Sequence, residues 1–130
     1  MYQSRDLDMN KLEKIKLRLR RFADERDWDQ FHSPKNLAMA LIVEAAELVE
    51  HFQWLTEKQS QKLPADKLAE VEQEIADIQI YLIRLADKLG VDVEKAVNAK
   101  IKLNEKKYPA KKVRGKADKY YEYDEGDDGG

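Results

Sequence analysis

Two acidic pairs in this sequence have the residue types and the spacing of a metal site. Glu44 and Glu47 lie in the segment LIVEAAELV, and Glu74 and Asp77 lie in the segment EIADIQIY. In a helix, a spacing of three residues places both side chains on one face, one turn apart. Their neighbours are almost all aliphatic residues or alanine, which is an unusual setting for carboxylates.

Carboxylates that converge at one point require a counterion. Two of them about 4 Å apart repel each other by roughly 4 kcal/mol at an effective dielectric constant near 20. A divalent cation removes this repulsion, and ligation by carboxylate oxygens alone favours Mg²⁺, with Mn²⁺ as a substitute, over zinc or iron. The chain has no cysteine and only two histidines, which excludes thiolate and His-rich zinc sites. The two pairs together therefore form a candidate Mg²⁺ site.

The residue pattern also permits a simpler interpretation. The chain has 26 acidic residues, so pairs three apart arise easily by chance, and most such pairs lie on solvated helix faces. A di-iron bundle is excluded, because it needs Glu-x-x-His on two helices and Leu48 stands three residues before His51. On the pattern alone, a metal site and solvated helix faces both remain open.

Four helices are predicted to position these acids, from apolar residues at helical spacing and from residues typical of helix ends. Ser33 followed by Pro34 is typical of a helix start, and Asp92 is a second candidate N-cap. Gly90 is typical of a left-handed C-terminal cap, and Pro109 ends the last helix. The approximate bounds are 7–25, 34–55, 65–89 and 93–107, with an aromatic and polar connection at 26–33 and a polar one at 56–63.

The composition indicates a single all-α domain. Of 130 residues, 38% are charged and only eight are Gly or Pro, which favours long helices over a turn-rich sheet protein. We expect a helical domain over 1–109 and an extended tail, first basic and then acidic, over 110–130. The longest apolar run has seven residues, 37–43. A bilayer span needs roughly 20, so we expect a soluble, cytoplasmic protein with no membrane partner.

The charge of the chain is segregated along the sequence. Residues 100–119 contain nine Lys or Arg and two acidic residues, a local charge of +7, which leaves −9 for the rest of a chain whose net charge is −2. A basic segment in an otherwise acidic chain is suited to binding phosphates. The near-neutral total argues against stable nucleic-acid binding.

The third predicted helix is apolar on nearly all sides at its middle. A seam of residues spaced alternately three and four apart runs along it: Leu68, Val71, Ile75, Ile78, Leu82, Leu85 and Leu89. Ile80 and Ile83 lie away from that seam, so this part of the helix is predicted to be buried on more than one side. An interface between copies of the chain would explain this pattern.

Three longer segments, taken with the acidic pairs, give a resemblance to a known family. A Glu-x-x-Glu pair and a Glu-x-x-Asp pair, with 26 residues between Glu47 and Glu74, resemble the signature of the MazG-like all-helical nucleoside triphosphate pyrophosphohydrolases. The segments FADERDWDQFHSPKNL at 22–37, EHFQW at 50–54 and KIKLNEKKYP at 100–109 resemble the dCTP pyrophosphatase branch of that family. The resemblance covers about residues 17–120.

The resemblance implies a four-helix bundle that assembles as a dimer or a dimer of dimers, a homotetramer, with active sites near subunit interfaces. It implies hydrolysis of dCTP, or of modified or noncanonical deoxynucleoside triphosphates, to the monophosphate and pyrophosphate, a housecleaning activity on the nucleotide pool. The family's metal-binding acids match Glu44, Glu47, Glu74 and Asp77. Many relatives have another acid just before the first of these, where this chain has Val43, so the number of metal ions stays open.

Further site residues are suggested by the residue types, and for Lys100, Trp28, Trp54 and Asn104 also by the resemblance. Glu47 is the candidate for orienting the attacking water. Lys100 matches a phosphate contact of the family, and Lys107 is a weaker candidate. A base pocket needs flat apolar walls and a few polar groups; the candidate walls and polar groups are Trp28, Trp54, Tyr81, His32 and Asn104. Phe22 is assigned to the core.

Two other functions compete with this hypothesis. One is a non-enzymatic helical scaffold that oligomerises or recruits a partner through the apolar third helix, and its stability should not respond to Mg²⁺. The other is nucleic-acid binding through residues 100–119, which predicts an affinity that falls steeply with salt. Neither explains acidic pairs in an aliphatic setting.

Overall fold

The structure, a computed structural model, describes residues 9–115, and the described chain consists of helices joined by short connections. We name the helices in chain order: α1 (Lys11–Glu25), α2 (Pro34–Glu50), α3 (Glu57–Ser60), α4 (Ala65–Leu89), α5 (Val93–Lys107) and α6 (Ala110–Val113), with a 3₁₀ turn at Asp29–Phe31. Residues 9–115 contain no strand. The predicted all-α class is therefore confirmed.

The described chain divides after Val91 into two compact units. The first contains α1 to α4, and within it α4 packs along α2 and also against α1. The second, which begins at Asp92, contains α5 and α6. The expected domain boundary at residue 109 stays a prediction, and residues 116–130 of the expected tail lie outside the described residues.

Side-chain caps set the helix starts, as the residue types predict. Ser33 Oγ accepts a hydrogen bond from the backbone N–H of Asn36 at 3.1 Å, with Pro34 in the first turn, and Asp92 Oδ1 accepts from the N–H of Lys95 at 3.1 Å. Gly90 ends α4 in the left-handed conformation, with φ 69°. The predicted caps at 33, 90 and 92 are confirmed.

Four predictions about helix bounds and connections differ from the structure. Helix α1 begins at Lys11, with Asn10 as its N-cap, rather than near residue 7. Helix α2 ends at Glu50 rather than near 55, because residues 51–55 form turns in which the N–H of Phe52 donates to Val49 O and that of Leu55 to Phe52 O. The connection 56–63 contains the short helix α3, whose start is stabilised by reciprocal hydrogen bonds between Thr56 and Gln59. Residues 110–113 form α6 instead of an extended chain.

The buried core of the first unit is small. Its fully buried apolar residues are Ala23, Leu37, Val71, Ile83 and Ala86. Many large apolar side chains stay exposed, among them a stripe on α2 formed by Met39, Ile42, Val43 and Val49. Ile83 is buried as predicted, whereas Ile80 is 37% exposed. Within residues 9–115, no helix is both long and apolar enough to cross a membrane.

Candidate active site

The two acidic pairs meet where α2 packs against α4. One carboxylate oxygen from each of Glu44, Glu74 and Asp77 lies within 4.8 Å of the other two, and all three residues are half-buried. We call these three residues the acidic cluster. The spacing of three residues in α4 brings Glu74 and Asp77 to the face that α2 covers.

Burial of its carboxyl is the main cause that raises the pKa of Glu44 to about 7, and the neighbouring carboxyls of Glu74, Glu47 and Asp77 contribute the remainder. Glu44 Oε2 and Glu74 Oε2 are buried, and no hydrogen-bond donor among the described residues reaches either oxygen. Buried carboxylate oxygens without donors are costly unless a cation satisfies them. The cluster therefore fits a hard divalent cation, which prefers carboxylate oxygens.

Glu47 lies one turn along α2 from Glu44, half-buried and near enough for its carboxyl to act on the pKa of Glu44. It does not belong to the group of three whose oxygens converge. The predicted roles of Glu47 as a metal ligand and as the residue that orients water stay predictions.

A cavity of about 510 Å³ adjoins the acidic cluster, because Asp77 belongs to both. Its volume lies within the range of small-molecule sites. Besides Asp77, three residues predicted from the sequence line it, Trp28, His32 and Tyr81. The other lining residues are Ile15, Arg18, Leu19, Phe22, Ala23, Ile80 and Arg84.

Aromatic rings form one wall of this cavity. Phe22 and Trp28 meet edge to face, with ring centroids 5.8 Å apart, and the guanidinium of Arg26 lies 3.6 Å above the Phe22 ring. Asp27 adopts a left-handed conformation, φ 53°, in the turn that leads to Trp28. The assignment of Phe22 to the core was wrong, because its side chain is 45% exposed and lines the cavity.

Arg84 is a site residue that the sequence reasoning missed. It is 3% exposed, and its Nη2 donates to Asp29 Oδ1 at 3.1 Å and lies 3.2 Å from His32 Nδ1. Its Nη1 is 3.6 Å from Asp87 Oδ2. The signal in the sequence was that residue 84 is the only charged one in the apolar segment 78–86.

His51 was also missed, because it follows α2 in a segment predicted to be helical. Its side chain is half-buried, with Nε2 3.9 Å from Glu74 Oε1 and Nδ1 3.3 Å from Lys67 Nζ. It is a neighbour of the acidic cluster rather than a member of it. Such outer groups commonly orient the carboxylates that bind a metal.

Four predicted substrate-binding residues remain to be placed, Trp54, Lys100, Asn104 and Lys107. Trp54, in the turn after α2, is 87% exposed and is not among the described residues that line the cavity. Lys100, Asn104 and Lys107 lie on α5, in the second unit. Their roles in substrate binding stay predictions.

Comparison with known proteins identifies relatives over most of the chain. The sequence model of the MazG-like family matches residues 39–122, which include both acidic pairs. The chain is 44% identical over 111 residues to dCTP pyrophosphatase 1 of Mus musculus, an alignment that covers 84% of this chain and 65% of that protein. It is 41% identical over 117 residues to dCTP pyrophosphatase 1 of Homo sapiens, covering 88% and 69%. The chain thus spans about two thirds of the length of these relatives.

A solved structure has the same fold. The crystal structure of a pyrophosphatase from Archaeoglobus fulgidus superposes with a TM-score of 0.73 at 40% sequence identity, and covers 78% of this chain and 94% of that one. Most of the described helical architecture is therefore shared with a known pyrophosphatase structure.

Proposed function

The chain belongs to the MazG-like family, and from this membership we propose that it hydrolyses nucleoside triphosphates to the monophosphate and pyrophosphate. The observation that carries the proposal is the convergence of Glu44, Glu74 and Asp77 beside a cavity of nucleotide size. The names of the relatives make dCTP, with its modified or noncanonical analogues, the substrate to test first. Removal of unwanted deoxynucleotides from the pool is the role that such an activity would serve.

The metal is Mg²⁺, with Mn²⁺ as a substitute, held by the acidic cluster and by Glu47 as a fourth ligand. When bound, an ion of this kind neutralises charge on the phosphate oxygens of the substrate. The donor set supports this choice, because three carboxylates without a thiolate or imidazole in the group suit a hard cation.

The water that attacks the substrate is oriented by Glu47. The carboxylate accepts the water proton, the new bond forms between the water oxygen and phosphorus, and the bond that joins the α-phosphate to pyrophosphate breaks. What supports this role is that Glu47 stands beside Glu44 but outside the group of converging oxygens, so its carboxylate is not fully committed to a metal.

The base occupies the cavity, between the rings of Trp28 and Tyr81 and within reach of His32. The resemblance to the family supports phosphate contacts by Lys100 and Lys107 and recognition of the base by Asn104, all residues of the second unit. Trp54 is too exposed to be a wall of the cavity in a single chain. We therefore assign it to the site of a neighbouring copy.

The active form is a homo-oligomer, a tetramer in preference to a dimer. The small core of the first unit and the exposed apolar stripe on α2 support this, because contiguous exposed apolar surface of this kind marks an interaction site. The same surface favours the competing hypothesis of a scaffold without enzymatic activity. A scaffold gives no reason for buried carboxylate oxygens that lack a donor.

The experiment that tests the function is incubation of the protein with a panel of canonical and modified nucleoside triphosphates, in Mg²⁺ and in EDTA. We expect monophosphate and pyrophosphate from at least dCTP, and no turnover in EDTA. Release of orthophosphate, or activity that persists in EDTA, would exclude the proposed reaction. Thermal unfolding in both buffers tests the scaffold hypothesis, since only a metal-binding protein is stabilised by Mg²⁺.

A further inference from the structure

Arg84, which lines the cavity and is almost fully buried, is the centre of a network of ion pairs. Asp29, in the connection after α1, accepts hydrogen bonds from Arg84 and Lys88 of α4. Asp87 of α4 pairs with Arg84 and accepts two hydrogen bonds from Arg20 of α1, at 2.6 and 3.1 Å. The guanidinium of Arg84 is therefore held from two sides by carboxylates.

A hydrogen bond between Arg84 and His32 is compatible with only one placement of the imidazole proton. Nη2 of Arg84 and Nδ1 of His32 are 3.2 Å apart, and both residues line the cavity. A guanidinium can only donate, so Nδ1 must accept and must carry no proton. The neutral imidazole then carries its proton on Nε2.

Protonation of His32 is also opposed by its surroundings. Burial of the ring, followed by the charge of Arg84, lowers the pKa of His32 below its ordinary value, and Asp29 only partly opposes this. The ring is therefore neutral at neutral pH, with one donor and one acceptor whose positions Arg84 sets.

We propose that Arg84 is a positioning residue for nucleotide selection: it fixes His32 as the Nε2–H tautomer, so that His32 presents a hydrogen-bond donor to the base in the cavity. This inference rests on the proposed function. A base that offers a carbonyl oxygen or an unprotonated ring nitrogen at that point is favoured. A base that offers an N–H there leaves two donors facing each other, which costs binding energy.

Without Arg84, His32 would no longer be restricted to the Nε2–H tautomer. Without the guanidinium, Nδ1 can carry the proton, and Nε2 then becomes an acceptor that repels an acceptor on the base. The effect should appear in KM rather than in kcat, because His32 contacts the base and not the reacting phosphate.

The tautomer can be measured directly by ¹⁵N NMR of the imidazole rings at pH 7.5. The chain has two histidines, so a spectrum of His51→Gln assigns the signals. In the unmodified protein we expect His32 as the Nε2–H form alone. In Arg84→Met we expect a mixture of tautomers or partial protonation, and in Arg84→Lys, which keeps a cationic donor, the original form. Arg20→Met is the control, because it breaks the Arg20–Asp87 pair in the same network without contacting His32.

The kinetic test uses the best substrate of the nucleotide panel. We expect KM to rise about tenfold in Arg84→Met, with kcat changed less than about twofold, and both constants unchanged in Arg20→Met. Either of two results would overturn the proposal: a His32 that carries its proton on Nδ1 in the unmodified protein, or an unchanged KM in an Arg84→Met variant whose tautomer has been lost. The NMR result needs no turnover, so failure of the proposed enzymatic activity is distinguishable from failure of this inference.

Discussion

Asp77 is the residue that joins the two parts of the proposed site, since it belongs to the acidic cluster and lines the cavity. Replacement by Asn keeps the size of the side chain and removes its charge. We expect Asp77→Asn to reduce turnover by at least about 100-fold, because one oxygen ligand loses its charge, while the helical content by circular dichroism stays the same. Glu72→Gln, an exposed acid on the same helix, is the matched control and should retain full activity.

Substitution of Glu47 distinguishes a role in metal binding from a role in activating water. If Glu47 accepts the proton of the attacking water, Glu47→Gln should abolish turnover but weaken Mg²⁺ binding, followed by calorimetry, less than Asp77→Asn does. Near-normal activity in Glu47→Gln would remove this residue from the site. An equal loss of Mg²⁺ affinity in the two variants would assign Glu47 to metal binding alone.

The raised pKa of Glu44 gives the metal-free protein a distinct pH dependence. The pKa of this carboxyl is about 7 in the folded protein and 4.5 in the unfolded chain. The group therefore contributes stability that is fully present below pH 4.5 and is lost as the pH rises through 7. Mg²⁺ binding displaces that proton. The rise in melting temperature produced by Mg²⁺ should therefore be larger at pH 8 than at pH 6, and equal shifts at the two pH values would contradict the assignment.

At the residue level, the acidic pairs were predictable from the sequence because spacing and setting both stood out. Arg84 was not singled out, although a lone cation in an apolar helical segment must find partners, and those partners, Asp29 and His32, are more than 50 residues away along the chain. Contacts of that range depend on the packing of α4 against the connection after α1. A single sequence carries no such information.

At the level of helices, α4 presents Glu74 and Asp77 to α2, and its C-terminal end is set by Gly90. With φ 69°, this residue stands in the left-handed region, although a Cβ there would meet nothing within 4 Å. Gly90→Ala should therefore destabilise the protein by about 1 kcal/mol through backbone strain alone. Gly90→Asn should cost less, because Asn tolerates this conformation, and urea unfolding of the two variants measures the difference. Equal stability of the Ala variant and the parent would contradict the strain argument.

Most helix bounds were predicted closely, and the two exceptions are the start of α1 and the end of α2. Ser33, Pro34 and Asp92 are strong signals, since a cap or a proline acts through its own side chain within one turn. The end of α2 at Glu50 had no such signal, because 51–55 continues with residues that tolerate a helix. The chain there forms turns, which leave His51 facing Glu74 rather than continuing the helix.

At the level of the whole molecule, the exposed apolar surface is the feature that one chain does not explain. The α2 stripe, Met39, Ile42, Val43 and Val49, lies on the helix that also carries Glu44 and Glu47. An interface on this stripe would therefore also hold the acids of α2 in position. The periodicity of the sequence indicated an interface on the helix that became α4. The apolar residues of α2 gave no such indication, because in a single sequence a stripe that faces another copy cannot be distinguished from one that faces the core.

Ile42, 66% exposed on this stripe, tests whether activity depends on assembly. A charge at this position should be costly in an apolar interface and nearly neutral on a free surface. We expect Ile42→Glu to shift the protein from an oligomer to a monomer in light scattering and to lower turnover, because Trp54 of a neighbouring copy would no longer reach the site.

Lys35→Gln changes the net charge by the same unit near the start of α2 and should leave both assembly and turnover intact. An Ile42→Glu protein that remains oligomeric and active would exclude this stripe as the interface, and a parent protein that is monomeric yet fully active would exclude the dependence on assembly itself.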